Sequence, residues 1–457
     1  MSRQQAIARA EQGFDSGQFW RDLADLVAQE TESQVSGRGD ALSAYLTEAL
    51  APHLVALGMT ARLLPNPAPN GAPFLLAERV EAPGLPTVLS YGHGDVTRAQ
   101  TDAWAEGLHP FRLTQQGDRF YGRGSADNKG QHLVNLTALR AVLAERGRLG
   151  FNLKLLIEMG EEIGSPGLAD LCQAQSEALR ADVLIASDGP RLDPEHPTIF
   201  MGARGALNFD LRVRLRPGAH HSGNWGGLLA DPAMILAQAL ACITDARGAI
   251  RVPEWRPDSL TDDIRAVLAA LPEPAGADPD WGEPGLSAAE RVYGWNSFAI
   301  LAMTAGVPEA PVNAIAGEAR ATCQLRFVVG TRPKAILPAL RAHLDRHGFP
   351  MVEIVDSDEL PFTATRLDPS HPWARFAIAS VTETVGTAPH VLPNLGGSLP
   401  NECFSDILGL PTIWVPHSYA GCNQHAPDEH VLAPTMRQAA QVMAGLFWDI
   451  GATPPGK

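Results

Sequence analysis

Apolar and polar positions along this chain follow two different rhythms. Continuous apolar runs, Val88-Leu89-Ser90-Tyr91, Leu153-Lys154-Leu155-Leu156-Ile157, Val183-Leu184-Ile185-Ala186 and Leu410-Pro411-Thr412-Ile413-Trp414-Val415, each break into turn-rich sequence. Short apolar runs bounded by glycine and proline predict buried strands of a parallel sheet. Between them apolar residues recur at helical spacing: Phe19, Leu23, Leu26 and Val27, then Leu42, Tyr45, Leu46 and Leu50, then Leu133, Leu136, Leu139, Val142 and Leu143. Strands and helices mixed in this way predict an α/β class fold.

The rhythm changes near Gly205. Leu207 to Leu215 alternates apolar and polar positions, which marks a strand with one solvated face. A helix is expected over Pro232 to Thr244, strands over Ala321 to Val329 and Met351 to Val355, and a helix carrying Ile336, Leu340 and Leu344 between those strands. An irregular Pro- and Asp-rich stretch, Pro253 to Pro284, holds a weak helix signal at Ile264 to Leu271. That order resembles a ferredoxin-like α+β layer inserted into the main domain. The main fold is expected to resume near Pro361, with helices over Trp373 to Val385 and Thr435 to Phe447. The reading is therefore residues 1–204 with 361–457 as one domain, and 205–360 as the inserted one.

Composition narrows the field. A chain of 457 residues with 45% hydrophobic content is long enough for two cores. A net charge of −15, with no Lys/Arg-rich run to offset it, argues against a nucleic-acid partner. The five cysteines form no C-x-x-C pair and leave an odd count, as expected of free thiols in a reducing compartment. The first residues lack a signal-peptide pattern, and no run reaches the roughly 18 apolar residues of a membrane span. The expectation is a cytoplasmic protein with no membrane partner.

Chemistry gathers where the predicted strands end. There the chain delivers His93, followed by Asp95, then Glu161 and Glu162, then Asp188, while a loop after the last strand delivers His425. Asp127 lies in Gly122-Arg123-Gly124-Ser125-Ala126-Asp127-Asn128-Lys129-Gly130, just ahead of a predicted helix. Ligands of open α/β sheets bind outside the carboxyl ends of the strands. Two imidazoles with several carboxylates suit Zn²⁺, Mn²⁺ or Co²⁺. Each residue alone has a plainer explanation: Asp127 as a helix cap, the glutamates as a solvated pair, His93 as a core histidine. Cys422 lies near His425, and a metal role for it is the weaker reading. The glycine-rich stretch before Asp127 lacks the G-x-G-x-x-G spacing of a dinucleotide loop.

Taken in order, His93-x-Asp95, Asp127, Glu161-Glu162, Asp188, His221 and His425 resemble the M20 family of dinuclear metallopeptidases, in its carnosinase-like dipeptidase branch. The segments GRGSADNKG, EMGEEIGSPGL, HSG at His221 and GGSLPNE from Gly396 to Glu402 carry the likeness. The resemblance implies a zinc-peptidase-like catalytic domain with a mixed, mainly parallel sheet, and an inserted lid and dimerisation domain. It implies two divalent metal ions, zinc first and manganese or cobalt as alternatives. His93 and Asp188 would hold one ion, Glu162 and His425 the other, and Asp127 would bridge them. Glu161 would be the general base acting on a metal-bridging water, and Asp95 would support His93. His221 would stabilise the tetrahedral oxyanion. Arg326 would clamp a substrate carboxylate, a task suited to its planar fork, with weaker help from Asn313, Gly397 and Ser398. The implied activity is hydrolysis of the amide bond in dipeptides or short peptides by a homodimer, with His221 reaching the partner's site. A second reading keeps the machinery for N-acyl- or N-carbamoyl-amino acids, and a third makes the chain a non-catalytic relative. Asp428-Glu429 after His425, where the commoner pattern is Asn-Glu, and Gly94 in place of a bulkier residue are departures that bear on specificity.

Overall fold

A computed structural model describes residues 1–274, 276–356 and 362–455. The chain divides into two compact units: Met1–Gly202 with Leu367–Leu392 and Pro400–Lys457, and Ala203–Arg366 with Pro393–Leu399. The expected resumption near Pro361 lies outside the described residues. The short segment 393–399, which carries Gly397 and Ser398, groups with the second unit.

In chain order the principal strands are β1 (Thr60–Leu64), β2 (Phe74–Arg79), β3 (Thr87–His93), β4 (Asn152–Glu158), β5 (Val183–Ala186), β6 (Thr198–Phe200), β7 (Gly205–Arg214), β8 (Ser297–Ala305), β9 (Glu318–Phe327), β10 (Glu353–Asp356), β11 (His390–Leu392) and β12 (Thr412–Trp414). The principal helices are α1 (Arg3–Asp15), α2 (Gln18–Val27), α3 (Lys129–Arg146), α4 (Pro232–Ile243), α5 (Pro333–Arg346), α6 (Pro372–Val385) and α7 (Ala433–Ala452).

The first unit is built on an eight-stranded sheet in the order β1-β2-β4-β3-β5-β12-β6-β11. Its centre, β4-β3-β5-β12, is parallel throughout. Antiparallel pairs bring in β1 and β2 on one side and β6 on the other, so the sheet is mixed and mainly parallel. The central strands are apolar because both faces are covered: β5 is buried at all four positions. Helix α3 follows from the same logic, with Leu133, Leu136, Leu139 and Val142 in the core against Met436, Ala440 and Met443 of α7.

The second unit carries a four-stranded antiparallel sheet in the order β8-β9-β7-β10. Strands and helices run β7-α4-β8-β9-α5-β10 along the chain, which is the ferredoxin-like arrangement. In β7 every second residue is buried, and Leu207, Phe209, Leu211 and Val213 pack with Leu236 and Leu340 in the second core.

Three elements differ from the sequence reading. Helix α1 is built on Ala6, Ile7, Ala10 and Phe14, a face too small-sided to stand out as a hydrophobic stripe. Strand β8 is exposed along almost its whole length, so it has no inside-outside alternation to read. The glutamate pair does not end a strand: β4 stops at Glu158, and Glu161–Ile163 form a single 3₁₀ turn beyond it. No helix among the described residues is long and apolar enough to cross a membrane.

Candidate metal centre

Parallel pairing of β4, β3, β5 and β12 sends their carboxyl ends to one side of the sheet. His93 is the last residue of β3 and lies opposite Glu158 of β4. The glutamate pair follows β4, Asp188 stands two residues beyond β5, and His425 sits on the loop after β12. Asp127 precedes α3 by two residues.

These side chains converge on the Asp127 carboxylate. Its Oδ1 lies 3.0 Å from Nε2 of His93, and its Oδ2 lies 3.0 Å from Nε2 of His425. Nε2 of His425 is also 3.1 Å from Oε2 of Glu162, and Nε2 of His93 is 3.5 Å from Oδ2 of Asp188. That Asp188 oxygen is buried and has no hydrogen-bond partner among the described residues, although buried polar atoms are ordinarily paired. Ligand atoms of His93, Asp127 and Glu162 all fall within 4.8 Å of one another, close enough to surround a cation.

The electrostatics follow from burying opposite charges together. Burial alone would lower the pKa of His93, but the carboxylates of Asp127, Asp188 and Asp95 around it carry it well above the usual histidine range. Hydrogen bonds to Asp127 and Glu162 lift His425 to about 11. Burial would raise Asp127, yet the two imidazoles hold its carboxyl below the usual carboxylate range. Burial pushes Glu162 up to about 7, and pushes Glu161 well above its ordinary value.

Around this group, backbone amides are held by carboxylates. Asp95 accepts the N–H of Glu161 at Oδ1 and of Glu162 at Oδ2, both at 3.2 Å, and so fixes the 3₁₀ turn. Nδ1 of His93 lies 3.1 Å from the Asp95 carbonyl and 3.4 Å from its carboxylate, which orients the imidazole. Sequence reasoning treated Glu429 only as part of a departure, whereas it organises the Asp127 loop. Its Oε1 accepts the N–H groups of Ala126 and Asp127, and its Oε2 accepts those of Gly124 and the Arg123 guanidinium, all within 3.1 Å. Gln424, also missed, donates to Oδ2 of Asp127 at 3.2 Å. Gly94 has a physical reason as well: a Cβ there would overlap the buried ring of Tyr45 and crowd the sulfur of Met159. His425 has φ of 61°, a left-handed conformation uncommon for a non-glycine residue. Cys422 is a buried free thiol whose pKa burial raises to about 11.

The remaining candidates belong to the second unit. His221 is exposed at the end of a short strand, and its Nδ1 accepts the N–H of Gly223 at 3.1 Å. Asn313 is its neighbour: His221 pairs with Ala314, and the Asn313 carbonyl accepts the N–H of Ser222. Arg326 donates from Nη1 to Ser398 Oγ at 3.2 Å and from Nε to Gln324. Ser398 Oγ in turn donates to the Arg204 carbonyl, and the Gly397 carbonyl accepts the Arg204 N–H. Arg204, which the sequence reading passed over, is buried beside Arg326. Burial and the neighbouring guanidinium bring its pKa down to about 10.

Similarity to known proteins agrees with this architecture. The model of "Peptidase family M20/M25/M40" matches residues 89–449. Over 184 residues the chain is 36% identical to the Beta-Ala-His dipeptidase of Mus musculus, a match covering 40% of this chain and 37% of that protein. Over 239 residues it is 30% identical to the Cysteinylglycine-S-conjugate dipeptidase of Corynebacterium striatum, covering 49% of this chain and 52% of that protein. The chain thus spans about half or less of these relatives' length. The crystal structure of human carnosine dipeptidase 1 superimposes with a TM-score of 0.77 at 24% identity, covering 98% of this chain and 99% of that one. The family match takes in most of β3, all of β4, β5 and β12, and every residue of the Asp127 cluster, and on that ground the chain belongs to the peptidase family M20/M25/M40.

Proposed function

We propose that this chain hydrolyses the peptide bond of dipeptides or short peptides bearing a free carboxylate, using two divalent metal ions. The observation that carries the reading is the Asp127 carboxylate, whose two oxygens face two different imidazoles at 3.0 Å each. That is the disposition expected of a bridging ligand between sites roughly 3.5–4 Å apart. His93 and Asp188 would complete one site, and Glu162 and His425 the other. The unpartnered, buried Oδ2 of Asp188 supports the fit, since a cation would satisfy it. The mixed imidazole and carboxylate set favours zinc, with manganese or cobalt able to replace it.

The bound ions would supply Lewis-acid polarisation of the scissile carbonyl and an acidified water. Glu161 takes the role of general base: it accepts the proton of the attacking water and passes it to the leaving amine nitrogen. Its place supports this role: the 3₁₀ turn that Asp95 pins sets Glu161 beside the Asp127 cluster, and burial raises its carboxyl above the range of a solvated glutamate, in the direction a general base needs. Arg326, presented by Ser398 and Gln324, would pair with the substrate carboxylate, and Gly397 and Asn313 lie on the same unit. His221 would donate to the carbonyl oxygen as it gains negative charge.

The same reading takes the working protein as a homodimer in the cytoplasm, a compartment that suits its five free cysteines. Strand β8 supports the dimer. It is an edge of its sheet, nine residues long, without a charge, and Ile300, Leu301 and Met303 are exposed on it. A long apolar edge left open invites pairing with another chain, and a second copy would cover it.

The deciding experiment strips the protein with a chelator and restores Zn²⁺ or Mn²⁺. A dipeptide panel is then run against N-acetyl- and N-carbamoyl-amino acids. Metal-dependent turnover of dipeptides, with kcat/KM at least about tenfold above the best acyl-amino acid, is the expected outcome. Turnover confined to the acyl compounds would replace the peptidase reading.

A further inference from the structure

A second group of ligand-type side chains lies in the first unit, outside the Asp127 cluster. Asp193 sits in the turn between β5 and β6, and its Oδ1 closes that turn by accepting the N–H groups of Glu195 at 3.1 Å and His196 at 2.7 Å. The same oxygen lies 3.0 Å from Nδ1 of His196. The other, Oδ2, lies 2.9 Å from Nε2 of His390, the first residue of β11. One ligand atom from each residue falls within 4.8 Å of the other two. The rings of His196 and His390 stand 5.5 Å apart between centroids, inclined at 54°, so both present a nitrogen to one carboxylate. The side chains remain reachable from solvent, at 52% exposure for His196, 30% for Asp193 and 19% for His390.

We propose that Asp193, His196 and His390 form a peripheral site for a borderline divalent cation of the zinc type, which clamps the turn at 192–197 to the edge strand β11. Two imidazoles and one carboxylate give a nitrogen-rich set of low charge. Such a set takes Zn²⁺, Ni²⁺ or Cu²⁺ and offers too few oxygens for Ca²⁺ or Mg²⁺. Around a tetrahedral ion with bonds of about 2.0–2.1 Å, neighbouring donors stand about 3.3 Å apart. One ligand atom from each of the three residues already lies within 4.8 Å of the other two, and an ion would draw them to that spacing. Three protein ligands leave the fourth position to water. The turn is already held by Arg191, which donates to the Pro194 carbonyl and to Gln438, so the ligands need little reorganisation. The ion would join segments almost two hundred residues apart, one of them running from Asp188 into β6.

The test compares the intact protein with His196→Ala and His390→Gln by equilibrium dialysis against low-micromolar Zn²⁺, with elemental analysis of bound metal. Each variant is expected to bind one zinc fewer per chain. Zinc should raise the melting temperature of the intact protein by more than it raises that of His196→Ala. Because the readout is a difference between proteins that share an unaltered Asp127 cluster, it holds whatever that cluster binds or catalyses. Equal zinc uptake by all three proteins overturns the proposal and leaves a hydrogen-bonded cluster only. A site that takes up Ca²⁺ in place of Zn²⁺ overturns the assignment of cation class. Should His390→Gln fail to fold, His196→Ala carries the test, since its ring is half exposed.

Discussion

Asp127 and the Glu161–Glu162 pair show how differently neighbouring carboxylates are employed at the scale of single residues. Oε2 of Glu162 stands 3.1 Å from His425, while Glu161 shares only the backbone turn pinned by Asp95. Glu162→Gln should therefore reduce the metal content of the purified protein, because a ligand is weakened. Glu161→Gln should keep its metal and lose activity by a factor of about 10² or more, the scale of a general base. Metal analysis beside kcat measures both, and equal metal loss in the two variants would remove the division of roles. The sequence points to these candidates because His93, the glutamate pair and Asp188 follow apolar runs, while Asp127 and His425 lie in turn-rich loops. What was not legible was support that acts through the backbone. Glu429 reads as one more acidic residue until its carboxylate is seen to hold the amides of Gly124, Ala126 and Asp127 together with Arg123. Likewise Gly94 reads as a departure until the Tyr45 ring is found where its side chain would be.

Elements obey simpler rules, and their failures are instructive. The parallel strands announced themselves because both of their faces are buried, whereas β8 hid because neither is. If β8 is a pairing edge, Leu301→Lys with Met303→Lys should shift the dimer toward monomer, raising the dissociation constant by at least about tenfold, as sedimentation at several concentrations would show. An unchanged association state would locate any dimer contact elsewhere. Loop connections offer a pH test. Glu81 accepts the N–H groups of Leu149 and Gly150 at 2.7 and 2.8 Å and pairs with Arg79, fastening the turn that leads into β4. Burial opposes its ionisation, but the two amides and Arg79 hold its pKa below the ordinary value of 4.5. The sign follows: the stabilisation is complete above pH 4.5 and is lost as pH falls through the lower, folded-state value. Glu81→Gln should cost about 1–2 kcal/mol near neutrality, with the gap to the parent protein closing in acid. Denaturation curves at a series of pH values would check it, and a gap that widened in acid would contradict the assignment.

For the whole molecule, the change in hydrophobic rhythm near Gly205 falls close to the start of the second unit at Ala203, and the alternation of Leu207 to Leu215 lies in its antiparallel sheet. Segment 393–399 also groups with the second unit, and no pattern in Pro393-Asn394-Leu395 distinguishes one core from another. If His221 serves the partner subunit's centre, two inactive variants should complement each other. In mixed dimers of Glu161→Gln and His221→Ala, the chain bearing the His221 substitution keeps Glu161 and borrows an intact histidine. Random exchange should restore about a quarter of sites, since half the dimers are mixed and each holds one complete site. Activity no greater than the mean of the separate variants, once exchange is demonstrated, would place His221 in its own chain's site.

The sheet order also bears on how the polypeptide is made. Strand β12 takes a place in the interior of the sheet, between β5 and β6, which precede it by more than two hundred residues. Until it arrives, the first unit is a pair of partial sheets with open edges, and His425 has not yet joined His93 and Asp127. Completion of the first unit therefore waits for the synthesis of β12, and a nascent chain stalled before Thr412 presents two bare strand edges to its neighbours and to chaperones.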